Sequence, residues 1–211
     1  MRVFVKICGI TSLEAARACE VSGANAIGFV FAPSSRRITD TAACKINRMV
    51  SGPMARVGVF ADEKPKEVIR IAEKVGLTHV QLHGDEPPGI CQLIRQKGYG
   101  VLKAFRVGSK EDLTAPNAYD VDFLVLDAFV PGVKGGTGTR LNLELLDGFK
   151  PQTPIIIAGG LDESNVGQVL NHAMPFGVDV SSGVEINGRK SPGLIRRFIS
   201  AVRQAERALG M

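Results

Sequence analysis

The chain has 211 residues, 45% of them hydrophobic and 22% charged, which suits one domain with a sizeable core. The formal charge of +5 admits a nucleic-acid partner, but the basic residues are dispersed and few aromatics accompany them to stack on bases, so an anionic small substrate is the better reading. No apolar run is long enough to span a bilayer, the N-terminus runs straight into a helix signal with no secretory pattern, and four scattered cysteines without a C-x-x-C pair (Cys8, Cys19, Cys44, Cys91) suit a reducing cytosol rather than a zinc site or disulfide framework.

From the N-terminus, short β-branched runs alternate with longer amphipathic segments. Strands are predicted near 3–8, 25–31, 56–60, 78–82, 100–106, 122–127, 154–158 and 177–181. Helices are predicted near 12–22, 40–50, 65–75, 87–97, 110–118, 141–147, 162–171 and 192–208. Thr11-x-x-Glu14 and Ser109-x-x-Asp112 match the capping box, Pro65 and Pro192 suit a first helical turn, and Gly76 and Gly98 suit helix C-terminal caps. Strand–helix alternation requires parallel strands with helical crossovers. Eight such units in one domain, 1–211, predict an α/β fold, a single (β/α)8 TIM barrel. A doubly wound sheet is the competitor, but no G-x-G-x-x-G follows the first strand.

In such a barrel the chemistry lies at the C-terminal ends of the strands. Lys6 and Cys8 end the first strand on one face, so Cys8 is a candidate base or nucleophile whose thiolate Lys6 would favour; packing as a small hydrophobe is the plain alternative. Asp127 ends the sixth strand after an apolar run, where desolvation favours a protonated general acid and a helix cap or salt bridge competes. The Gly135–Gly138 stretch that follows, with Gly136 at its centre, reads as a lid or anion-contacting loop, or simply a turn. Ala158-Gly159-Gly160 and Ser181-Ser182-Gly183 end strands seven and eight, the usual phosphate site of this barrel. Arg36, beyond strand two, suits a substrate carboxylate. Gln81 and His83 share a face at the end of strand four and are candidates to line the pocket, His83 as a substrate contact; a titrating base is its alternative, with no carboxylate nearby in sequence to orient the imidazole. Lys103 is a candidate Schiff-base lysine, which keeps an aldolase open as a rival; His79 and His172 carry no evident role.

These residues fall into longer runs. Lys6–Thr11, Gly28–Phe31, Ser34–Arg36, Gln81–Gly84, Leu126–Ala128, Gly135–Gly138, Ala158–Leu161 and Val178–Glu185 span the chain in order. Together they resemble the signatures of the phosphoribosylanthranilate isomerase family of tryptophan biosynthesis. The resemblance implies a barrel without cofactor or metal, acting on a phosphorylated small molecule by an Amadori rearrangement. It implies Cys8 as general base, Asp127 as general acid, Arg36 on the substrate carboxylate, and phosphate contacts around Gly159, Gly160, Ser181, Ser182 and Gly183, with the loop through Gly136 over the site. It further implies a cytoplasmic enzyme with no nucleic-acid or membrane partner, and leaves monomer or homodimer open. A barrel that binds a phosphorylated ligand without turnover is the alternative from another class.

Overall fold

A computed structural model describes residues 2–128 and 140–211. Eight parallel strands close into a barrel in sequence order: β1 (Phe4–Cys8), β2 (Ala26–Val30), β3 (Ala55–Phe60), β4 (His79–Leu82), β5 (Gly100–Val107), β6 (Phe123–Ala128), β7 (Ile155–Ile157) and β8 (Gly177–Val180), which returns to β1. Every predicted strand is present. The α-helices are α1 (Leu13–Ser22), α2 (Asp40–Arg48), α3 (Pro65–Val75), α4 (Pro88–Gln96), α5 (Val166–Ala173) and α6 (Pro192–Leu209).

Two predicted helices are not α-helical. Residues 110–118 form two 3-10 turns, Glu111–Leu113 and Ala115–Ala118. Pro116 has no N–H to give and biases Ala115 away from the helical region, so an unbroken helix cannot pass. Asp112 instead accepts the N–H groups of Gly108 and Ser109 and the Ser109 hydroxyl, half of the predicted capping box. Residues Leu143–Leu146 likewise form one 3-10 turn, capped by Asn142. Two boundaries or caps also shift. Ser12, not Thr11, caps α1, its hydroxyl accepting the Ala15 N–H. α5 begins at Val166 because the Asp162 carboxylate takes the N–H groups of Ser164 and Asn165 into a local turn. Pro65, Pro192 and the left-handed Gly76 stand where expected.

Strand alternation sorts the side chains into two cores. Outward residues such as Ile7, Ile27, Val80, Leu124, Ile157 and Val178 bury against the helices. Inward residues Ala26, Val57, Leu102, Ala104, Val125, Ile156 and Ala158 fill the barrel. At the N-terminal end Phe4, Phe123 and Phe176 stack with ring centroids 5.0–5.8 Å apart and plug it. At the opposite end polar inward residues, Cys8, Gln81, Asp127 and Asp179, stand among apolar ones such as Val30 and Val59, and there the barrel opens.

After β8 the chain makes a small antiparallel hairpin, β9 (Glu185–Ile186) and β10 (Arg189–Lys190), before entering α6. Sequence reading did not separate it from the strand-eight loop, because two-residue strands have no readable periodicity.

Candidate active site

A cavity of about 370 Å³ opens at the C-terminal ends of the strands. Its walls carry Cys8 from β1, Arg36 beyond β2, Gln81 and His83 from the end of β4, Asp127 from β6, Gly159 and Gly160 after β7, and Asp179, Ser181 and Ser182 from β8 and its end. Cys8 and Ser181, 173 positions apart in sequence, thus share one space, because each ends one of two neighbouring strands.

Cys8 lies against β2 at Gly28, where a Cβ would sit 2.9 Å from the thiol sulfur and 3.3 Å from Lys6 Cε. Only glycine leaves room for both side chains. Lys6 is fully buried, and its ammonium is 2.6 Å from Asp179 Oδ2. Lys6 pulls the Cys8 thiol toward the thiolate, as expected, but burial outweighs it and the thiol is raised on balance. Burial pushes Cys19 up to about 12 and Cys91 up to about 11, as expected of cysteines that only pack.

Asp127 is nearly buried; its Oδ1 accepts the N–H of Ala128 at 2.9 Å. Gly159, at φ +87°, lies beside it, and a Cβ there would come within 2.8 Å of that carboxylate oxygen. The other oxygen, Oδ2, faces His83 Nε2 at 3.4 Å. The Gln81 amide nitrogen meets His83 Nδ1 at 2.9 Å. An amide N–H donating to Nδ1 leaves the ring proton on Nε2, toward Asp127. The carboxylate that seemed absent near His83 in sequence is therefore supplied by another strand.

Arg36 lines the cavity with its guanidinium engaged side-on by Glu185: Nε to Oε1 at 2.7 Å and Nη2 to Oε2 at 2.8 Å. Ser181 donates its hydroxyl to the Cys8 carbonyl at 3.1 Å. Gly183 lies in the turn Ser182–Val184, so close to the Leu161 carbonyl that any side chain would collide. Gly136 lies outside the described residues.

Lys103 does not reach the site. It points outward from β5, is 2% exposed, and donates to the carbonyls of Leu82, Gly84 and Ala104 and to Glu86 Oε2 at 2.7–3.3 Å. A Schiff-base role, and with it the aldolase rival, loses its nucleophile.

Sequence reading assigned no role to Asp179. Its Oδ2 holds Lys6, while its buried Oδ1 has no hydrogen-bond partner among the described residues and the side chain borders the cavity. Burial raises this carboxyl, against the pull of Lys6. The available signal was parity: Val178 and Val180 face the helices, so Asp179 between them faces the barrel interior. Among the described residues no cluster of three or more His, Cys, Asp or Glu could hold a metal ion, and no helix is long and apolar enough to cross a membrane.

Residues 5–201 match the family model described as N-(5'-phosphoribosyl)anthranilate (PRA) isomerase. The chain belongs to that family, whose members are enzymes of tryptophan biosynthesis. A relative from Desulforudis audaxviator, an N-(5'-phosphoribosyl)anthranilate isomerase, is 46% identical over 203 residues, covering 95% of this chain and 98% of its own. The crystal structure of phosphoribosyl anthranilate isomerase from Thermus thermophilus is 37% identical with a TM-score of 0.86, covering 97% and 99% of the two chains. A second solved isomerase, in complex with reduced 1-(o-carboxyphenylamino)-1-deoxyribulose 5-phosphate, is 36% identical with a TM-score of 0.82, covering 96% and 99%. The family resemblance read from the sequence motifs is therefore upheld, as is the barrel.

Proposed function

We propose that the cavity converts N-(5'-phosphoribosyl)anthranilate into 1-(2-carboxyphenylamino)-1-deoxyribulose 5-phosphate with Asp127 as general acid and Cys8 as general base. The carrying observation is that a carboxyl and a thiol, from β6 and β1, face one cavity of sugar-phosphate size, beside an arginine and two small-residue strand ends.

The rearrangement needs two proton transfers of opposite sense. Opening the furanose requires a proton on the ring oxygen, which Asp127 supplies as its carboxylic acid. The protonated imine then acidifies the proton on C2 of the sugar. Cys8, as thiolate, removes it to give the enolamine, which tautomerises to the ketose. Because burial raises the Cys8 thiol, the thiolate forms at the expense of a proton that must leave it first; the Lys6, Lys190 and Arg36 cations nearby favour that anion. Each such group contributes about 10²–10⁴-fold. His83 orients the Asp127 carboxyl from Nε2. Gly159 and Gly160 after β7, with Ser181, Ser182 and Gly183 after β8, receive the phosphate where small residues leave backbone accessible. Arg36 receives the anthranilate carboxylate. The whole of 1–211 acts as one barrel domain in the cytoplasm, as a monomer or homodimer, with no nucleic-acid partner.

The test is turnover of freshly prepared phosphoribosylanthranilate, followed by loss of its fluorescence, for the wild type, Cys8→Ala and Asp127→Ala. Turnover that collapses in both folded variants supports the assignment. A wild type that binds the substrate without turning it over would move the chain to a binding role.

A further inference from the structure

Besides placing the Lys190 cation near Cys8, the β9–β10 hairpin carries Glu185, which holds Arg36. Asn187 and Gly188 make its turn at φ 50° and 73°, the left-handed pair that a tight two-residue hairpin requires. The register sets Lys190 opposite Glu185, and the Lys190 ammonium is 2.6 Å from Glu185 Oε1. Lys190 also donates to the Ser181 carbonyl at 2.9 Å and hydroxyl at 3.1 Å. One hydrogen-bonded chain thus runs from Arg36 through Glu185 and Lys190 to Ser181, and on to the Cys8 carbonyl.

Glu185 does not line the cavity, and its side chain is only 8% exposed. Burial alone would raise its carboxyl; the hydrogen bonds from Arg36 and Lys190 outweigh it and hold Glu185 below the ordinary glutamate range. It is therefore an anion sequestered between two cations and shielded from the ligand. Its contact with Arg36 uses the Nε–Nη2 edge of the guanidinium. The opposite, end-on edge, with both Nη1 protons and one on Nη2, has no partner among the described residues. Arg36 itself stands on the loop after β2, where Ser34 Oγ accepts its backbone N–H but nothing local fixes its long side chain.

We infer that Glu185 is a positioning residue for substrate selection: it clamps Arg36 side-on so that the end-on edge meets a carboxylate on the substrate's aromatic ring. Lys190 fixes Glu185 in turn by tying it to the end of β8. The inference rests on the proposed role of Arg36. It makes the hairpin the part of the barrel that separates a carboxylated aryl amine from an uncarboxylated one.

The experiment compares phosphoribosylanthranilate with its carboxylate-free counterpart, made from aniline and ribose 5-phosphate. Glu185→Gln is expected to raise KM for phosphoribosylanthranilate about tenfold while kcat changes less than about threefold, the pattern of lost uniform binding. The penalty should shrink to within about twofold on the aniline counterpart, and again when Arg36→Met is already present, because residues acting as a unit are not additive. An equal loss on both substrates, or full additivity with Arg36→Met, would show that the hairpin only supports the fold and overturn the inference. Arg36→Met that leaves KM unmoved sinks the carboxylate reading itself. Arg36→Met that raises KM while Glu185→Gln does not sinks the clamp alone. Should Glu185→Gln fold poorly with two buried cations unpaired, Glu185→Asp keeps the charge while drawing it back from Arg36 and carries the same KM expectation.

Discussion

Lys6 and Lys103 are both buried, on opposite faces of the same sheet, and they differ in how completely their charge is answered. Lys103 points outward into the helical layer. It has three carbonyls and Glu86 as acceptors, and the rings of Phe105 and Tyr119 lie 5.4 and 5.9 Å from its ammonium. Glu86 is itself satisfied by the N–H groups of Asp62 and Gly84. The group is a closed staple that joins β4, the loop before α4, and β5. Lys6 points inward beneath the cavity. Its carboxylate partner, Asp179, keeps one oxygen without a hydrogen bond among the described residues, and the Cys8 thiol lies beside the same lysine. A buried polar group left open is costly, so it persists where something else completes it. The closed lysine belongs to stability and the open one to the site.

That contrast can be broken by measurement. The largest effect is expected on the open side: Asp127→Asn, which keeps the shape and loses the acid, should lower kcat/KM by about 10²–10⁴-fold with the thermal unfolding midpoint little changed. An unchanged rate would remove Asp127 from the chemistry. Next, Lys6→Met and Lys103→Met each leave a buried carboxylate without its cation, a loss of about 3–5 kcal/mol by denaturant unfolding. Activity per folded molecule should fall only in Lys6→Met. Equal activity losses in the two would erase the distinction between them.

A pH series sharpens the same point. Since burial holds the Cys8 thiol up, alkylation of Cys8 by iodoacetamide, read by peptide mass, should keep accelerating as pH rises past the ordinary thiol range of about 8.5. A plateau below that range would mean that Lys6 wins over burial after all. Glu185 gives the acid-side counterpart. Its carboxyl is held below the ordinary range in the fold, so its stabilising contribution is present above that range and is lost as pH falls through the folded value. Acid unfolding of Glu185→Gln should therefore start from lower stability and fall less steeply than that of the wild type. The smallest effect lies far from either lysine: Ser12→Ala removes the α1 cap and should cost about 1 kcal/mol, without changing turnover.

Much of this molecule was set by local chemistry that a sequence displays. Eight β-branched runs became eight strands because alternation and length are properties of the segment itself. Pro65, Pro192 and Gly76 marked helix ends because their backbone limits act within one turn. The same locality explains the misses. Pro116 broke a helix that hydrophobic spacing favoured, and the Asp162 side chain delayed α5 by competing for its first N–H groups. Cys8, Asp127, Arg36 and His83 could be placed at strand ends, and so in one cavity, from the order of strands alone.

What sequence order could not decide was which charge meets which. Arg36 and Glu185 are 149 positions apart, Lys6 and Asp179 are 173 apart, and Asp127 reaches His83 from two strands away. Nor could it decide that burial would outweigh Lys6 at Cys8, or that Lys103 would be sealed behind the sheet. Side-chain parity fixes the face a residue takes, but the free energy of a buried charge depends on distances of a few ångströms to partners from other strands. Only closure of the barrel sets those distances.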